Sequence, residues 1–207
     1  MLGTDFFKQL KVISPYSVRI LMSAYDDKYL LKESINAVEI YRFLRKPIDL
    51  HNLEITLMSA TREYEKSLRN LKKHKILIIS SYKNFFYSIE HRLANYGFDI
   101  KTSTGNDDAI EAMEKFGHIS VAVVDGDSRV KVTRLFESMQ SVSPRTVKIL
   151  LTSSRDHYQW DAYINRFKVF RILTNIWDGN SLEVSVFDAI KKYDQGIGND
   201  LLSMGSD

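Results

Sequence analysis

The sequence matches itself most strongly at an offset of 129 residues, where Ile13–Asp49 lies over Val142–Asp178 without a gap and twelve of the 37 positions are identical. Ser14/Ser143, Pro15/Pro144, Val18/Val147, Ile20/Ile149, Asp27/Asp156, Tyr29/Tyr158, Asn36/Asn165, Arg42/Arg171 and Asp49/Asp178 are among the identities, and Arg19/Lys148, Ser23/Thr152 and Tyr41/Phe170 keep the chemical type. Two copies of one folding unit account for this. Each copy carries a short β-branched apolar run, VRILMS or VKILLT, then an amphipathic stretch, then a second run, IYRFL or VFRIL. That is the pattern of strand, helix and strand. A helix follows in each, from Leu50 in the first copy and over Ser181 to about Tyr193 in the second.

The second copy also has an upstream half. Lys75–Ile79 predicts a buried strand, Lys83–Tyr96 an amphipathic helix closed by Gly97, Phe98–Thr102 a strand, Asn106–Phe116 a helix closed by Gly117, and Ser120–Val124 another strand. Alternating strands and helices predict an α/β fold, a doubly wound parallel five-stranded sheet with helices on both faces. Residues 74–194 are expected to hold that complete domain, 1–73 the C-terminal part of a second one, and 195–207 a flexible tail. Subtracting the offset from Asp125 gives a position ahead of residue 1, so the chain is expected to begin partway through its first domain. Such a half-domain leaves a strand edge and sheet faces uncovered, which truncation or completion by another chain would explain. Leu50 to about Lys73 has no Gly or Pro and spaces Leu57, Ala60, Tyr64, Leu68 and Leu71 by three and four, predicting a long linker helix. Its extra length is either a homodimer seam or a stiff connector.

Composition narrows the class. With 44% hydrophobic, 12% aromatic and 27% charged residues, the chain can bury a core. Zero cysteines exclude disulfides and thiolate metal sites and fit a cytoplasmic address. A net charge of +3 does not call for nucleic acid, and no apolar run suggests a membrane span. The basic stretch Arg62–Lys75 is interrupted by Glu63 and Glu65 and reads as a solvated helix end. The five histidines lack metal-ligand spacing and read as scattered surface residues. Neither a glycine-rich phosphate loop nor a nucleophile elbow occurs.

The segments SVRILMSAYDD and IYRFLRKP together resemble the response-regulator (CheY-like) receiver domain of two-component signalling. The resemblance implies phosphoryl transfer from a histidine kinase to an aspartate at the end of the third strand. Two acids after the first strand would hold Mg²⁺ with it, a lysine would offset the phosphoryl charge, and a Ser/Thr and an aromatic would form the switch. In the second copy, Asp125 falls at the phosphoacceptor-like position and Thr152 at the switch hydroxyl. The acid pair is Ser80 and Ser81, the lysine Asn175, the following proline Ile176 and the aromatic Ile172. Two hydroxyls do not replace two carboxylates around a divalent ion, so Mg²⁺ is not expected and no cofactor is implied. Asp125, with Asp127 second to it, is the remaining acid, and as a strand-end carboxylate it is expected to be satisfied by backbone amides or Thr152. In the first copy, Ser23, Phe43, Lys46 and Pro47 match the switch hydroxyl, switch aromatic, lysine and cis-proline step, without the acids.

The expectation is therefore a non-enzymatic signalling protein whose second, degenerate receiver binds protein partners, a histidine kinase or a downstream component, without phosphorylation. Its partner face would be built from Asp156–Ala162, Val169–Leu173 and Ser181–Tyr193, with Trp160 and Trp177 either exposed anchors or core residues. Two alternatives stand beside it. One is a phosphorelay protein whose N-terminally complete first domain takes phosphate; the other is a flavodoxin-like domain binding a small ligand near Ser80, Ser81, Asp125 and Thr152.

Overall fold

The β-branched runs form strands and the amphipathic stretches between them form helices. A computed structural model describes residues 3–14, 16–24, 39–153, 157–174 and 181–204. The chain divides into two compact units, Met1–Asn70 and Leu71–Asp207.

In the second unit, strands β3 (Lys75–Ile79), β4 (Asp99–Ser103), β5 (Val121–Asp125), β6 (Val147–Leu151) and β7 (Arg171–Leu173) form one sheet in the order β4-β3-β5-β6-β7. Every pairing is parallel. This is the doubly wound order in which the chain reverses direction beside the first strand, opening a crevice at the carboxyl ends of the central strands. All five residues of β5 and of β6 are buried, as are four of the five in β3, which is what a strand covered on both faces requires.

Alternation along the strands divides the core in two. Leu77, Ile79, Ala122, Val124 and Leu150 pack with Ala109 and Met113 of α4 (Asn106–Phe116) and Leu135, Phe136 and Met139 of α5 (Val132–Val142). The intervening Ile76, Ile78, Val121, Val123 and Ile149 are also fully buried. Helices α3 (Lys83–Leu93) and α7 (Ser181–Met204) are tied together by a bidentate Arg92–Glu183 pair, with Nε–Oε1 at 2.8 Å and Nη2–Oε2 at 2.5 Å. Phe187 of α7 packs edge-on against Tyr96, with ring centroids 4.7 Å apart, and against Phe98 at 5.8 Å.

Three expectations change in detail. The helix from Lys83 gives way to a 3₁₀ turn over Ala94–Tyr96, which ends at Gly97 with φ of 72°. A side chain is disfavoured there because the backbone is left-handed. The helix expected to end near Tyr193 continues to Met204, so the supposed tail starts inside it. Gly196 and Gly198 each cost about 1 kcal/mol of helix propensity, and without a proline that does not end the helix. Among the histidines, His74 is buried, its Nδ1 2.9 Å from Ser120 Oγ and its Nε2 3.6 Å from Asp194.

The first unit contains α1 (Gly3–Ile13), β1 (Ile20–Ser23), β2 (Arg42–Arg45) and α2 (Leu50–Leu71). β1 and β2 form a parallel two-stranded sheet. The internal repeat is visible in three dimensions. α1 occupies the counterpart of α5, residue for residue at the offset. The Ser14–Ser17 hydroxyl contact at 2.5 Å recurs as Ser143–Thr146 at 2.8 Å. The bond from the Tyr41 N–H to the Arg19 carbonyl, 2.8 Å, recurs from Phe170 to Lys148 at 2.9 Å. Glu39 and Lys168, the same position in each copy, both have positive φ, 52° and 54°.

Candidate functional site

The carboxyl ends of β3, β5 and β6 bring Ser80, Asp125 and Thr152 into one crevice. All three are buried, Asp125 to 5% exposure. The Asp125 carboxylate is held from two sides: Ser80 Oγ donates to Oδ2 at 2.6 Å, and the Asp127 N–H donates to Oδ1 at 3.1 Å. Ser80 is itself fixed, because its hydroxyl oxygen accepts the Tyr82 N–H at 3.0 Å. Ser128 Oγ caps the Asp125 carbonyl at 2.8 Å.

Thr152 turns elsewhere. Its Oγ1 donates to Asp127 Oδ1 at 2.8 Å, and the Ser153 N–H donates to Asp127 Oδ2 at 2.7 Å. Of the two partners expected for Asp125, backbone amides do meet it, joined by the Ser80 hydroxyl, whereas Thr152 Oγ1 bonds Asp127 instead. The loop runs close against β6 at Gly126, whose N–H donates to the Leu151 carbonyl at 2.7 Å. A Cβ at Gly126 would lie 3.0 Å from Leu150 Cδ1 and 3.2 Å from both the Leu151 carbonyl and Thr152 Cβ. The approach of the β5 loop to β6 therefore leaves little room for a side chain.

The electrostatics of the two carboxylates differ. Burial pushes Asp125 above the ordinary carboxylate range, and the nearby Asp127 charge adds to this; hydrogen bonds from Ser80 and from the backbone at Asp127 and Ser128 offset it only in part. Burial also raises Asp127, but the Ser153 amide and the Thr152 and Ser153 hydroxyls outweigh it and hold that carboxyl below its usual value. Among the described residues no cation stabilises either group.

Ser81 lies at the rim, half-buried, where its Oγ accepts the Arg129 N–H at 3.0 Å. Ile172 sits on β7 opposite Leu150. Trp160 is half-buried on α6 (His157–Asn165). Asn175, Ile176 and Trp177 lie outside the described residues, as does Asp156. In the first unit the peptide between Lys46 and Pro47 is cis. The Lys46 N–H donates to the Ser23 carbonyl at 2.9 Å, bringing those two positions together at the ends of β1 and β2. Phe43 stands opposite Leu21 and is half-buried, while Lys46 is exposed. Asp127, second to Asp125 in the sequence, takes the Thr152 hydroxyl, and its position two residues beyond a strand-end acid is the signal for it.

No protein-family model matches this sequence, and no curated protein does. Solved structures do. An adenylate cyclase from Rhodopirellula baltica is 21% identical, with a TM-score of 0.60 over 64% of this chain and 98% of that one. A signal receiver domain of an HD domain-containing protein from Pseudomonas fluorescens Pf-5 is 17% identical, with a TM-score of 0.56 over 60% and 92%. A CheY-like response-regulator receiver domain protein from Methanospirillum hungatei JF-1 is 14% identical, with a TM-score of 0.54 over 59% and 98%. Strand order and these matches together give the chain a CheY-like receiver fold.

Proposed function

We propose that this protein is a two-component signalling component that works through protein–protein contacts, and that its second unit receives no phosphoryl group. One observation carries the reading: the hydroxyl and amide at the end of β6, Thr152 Oγ and Ser153 N–H, are both spent on the Asp127 carboxylate. In the receiver scheme the hydroxyl at this position answers a phosphoryl oxygen. Here an anionic oxygen built into the chain already meets it, so the unit holds one switch state without input. Asp125 adds to the case, since a nucleophilic carboxylate needs ionisation and a metal beside it, and this one is buried and raised with serines at the acid-pair positions. A receiver fold with no transfer chemistry retains its surfaces, and those are what partners read. No described helix is long and apolar enough to cross a membrane.

The test is incubation of the full chain with Mg²⁺ and acetyl phosphate, followed by intact-protein mass spectrometry. An unmodified mass is expected. A phosphate adduct that Asp125→Asn abolishes would refute the proposal.

A further inference from the structure

The two copies treat one buried cation in opposite ways. Lys148 is the second residue of β6, and Arg19, at the same place in the first copy, directly precedes β1; each is 5% exposed. In the first copy the chain itself supplies the countercharge. Glu39 Oε2 lies 3.8 Å from Arg19 Nη2, and Lys11 Nζ holds the other carboxylate oxygen, Oε1, at 2.8 Å. A charge this far from water needs such a partner.

The second copy reverses the sign around that cation. At the 129-residue offset Glu39 corresponds to Lys168, which keeps the left-handed backbone, Lys11 to Gln140, and Glu63 of α2 to Lys192 of α7. The alignment holds along these last helices, since Glu54/Glu183, Ala60/Ala189 and Tyr64/Tyr193 are identical. Two acidic positions are thus basic while the buried cation remains. Among the described residues no hydrogen bond or ion pair meets the Lys148 ammonium group. Burial, and then the charge of Lys192, hold it below the ordinary lysine range. Lys192 Nζ lies 4.8 Å from the ring centroid of Phe170, the residue whose N–H bonds the Lys148 carbonyl. Asp188 of the same helix is engaged by Arg171 at 3.0 Å.

We propose that Lys148 and Lys192, beside Phe170, form a site for an external carboxylate, which takes the place of the Glu39 side chain that the second copy lacks. The ligand is a carboxylate because that is the group the first copy sets against the same position. Two ammonium groups answer its two oxygens, as Arg19 and Lys11 answer those of Glu39. The site is separate from the crevice: Lys148 lies toward the amino end of β6, whereas Asp125 and Thr152 stand at the carboxyl ends of their strands. Acidic side chains of a protein and small organic acids both carry the group.

Isothermal titration of the full chain at constant ionic strength tests this, with citrate as the free acid and a pentaglutamate peptide as the protein-like source. Saturable binding of at least one probe is expected; binding of the peptide alone assigns the site to a partner's acidic segment, and binding of citrate to a small acid. Lys192→Gln is expected to weaken binding about tenfold. Lys168→Glu, which restores the acid of the first copy, is expected to abolish it, and Lys83→Glu, the same charge change on α3, to leave it intact. All three positions are exposed, so the fold tolerates the changes. The proposal is overturned by no saturable binding of either probe, by binding that Lys192→Gln or Lys168→Glu leaves unchanged, or by equal loss in Lys83→Glu.

Discussion

Val186 and Leu57 occupy the same place in two copies of one unit, yet one is sealed and the other is half in water. The same contrast runs through the sheets: β6 is a buried central strand with a neighbour on either side, while its counterpart β1 is paired with β2 alone among the described residues. Local hydrogen bonds survive the difference. The Ser14–Ser17 and Ser143–Thr146 contacts, and the left-handed Glu39 and Lys168, are set by short-range sequence and appear in both copies. Burial is not local; it depends on which strands and helices are present to cover a face. Shared sequence therefore specifies the elements and their turns, and the complement of elements decides the core.

The sharpest way to break this comparison is a matched pair of substitutions. Val186→Asp places a charge in a fully buried position and should cost about 4 kcal/mol, enough to unfold most of the second unit. Leu57→Asp, half in water already, should cost about 0.5 kcal/mol. Urea titration followed by circular dichroism measures both. Equal costs would mean that the two helices are equally enclosed.

A smaller effect tests the crevice of the second unit. Asp125→Asn removes a buried charge facing Asp127 and should stabilise the chain by about 1 kcal/mol at pH 7. The sign follows from the direction of the shift. A carboxyl whose folded pKa is raised holds more protons folded than unfolded, so its contribution is favourable below the ordinary value of 3.8 and is lost as pH rises through the folded value. The advantage of Asn over Asp should therefore disappear in acid. Thermal melts from pH 3 to pH 7 measure it, and an advantage that grows on acidification would contradict the assignment.

Much of this fold is legible in the sequence because it is written in periodicity. Lys75–Ile79 and Asn106–Phe116 fall where apolar runs and closing glycines place them. Where no periodic signal exists, legibility ends. The extension of α7 past Tyr193 turns on whether two glycines outweigh helix continuity, and the burial of His74 on a long-range contact with Ser120. In the crevice, the residues themselves were readable from the receiver resemblance, but their pairing was not. Thr152 has two acids within a three-residue loop to choose between, and the choice is made by the path of the chain through Gly126. The partner of Asp125 comes from Ser80, 45 residues away, which reads from sequence only as a missing acid.

The central claim is that this crevice, with Asp125 tied to Ser80 and Thr152 held by Asp127, does not take up a metal-bound phosphoryl group. Fluorine NMR of the full chain with Mg²⁺ and beryllofluoride tests it most directly. The account predicts only free fluoroberyllate resonances. A stoichiometric bound resonance that vanishes in Asp125→Asn would contradict it.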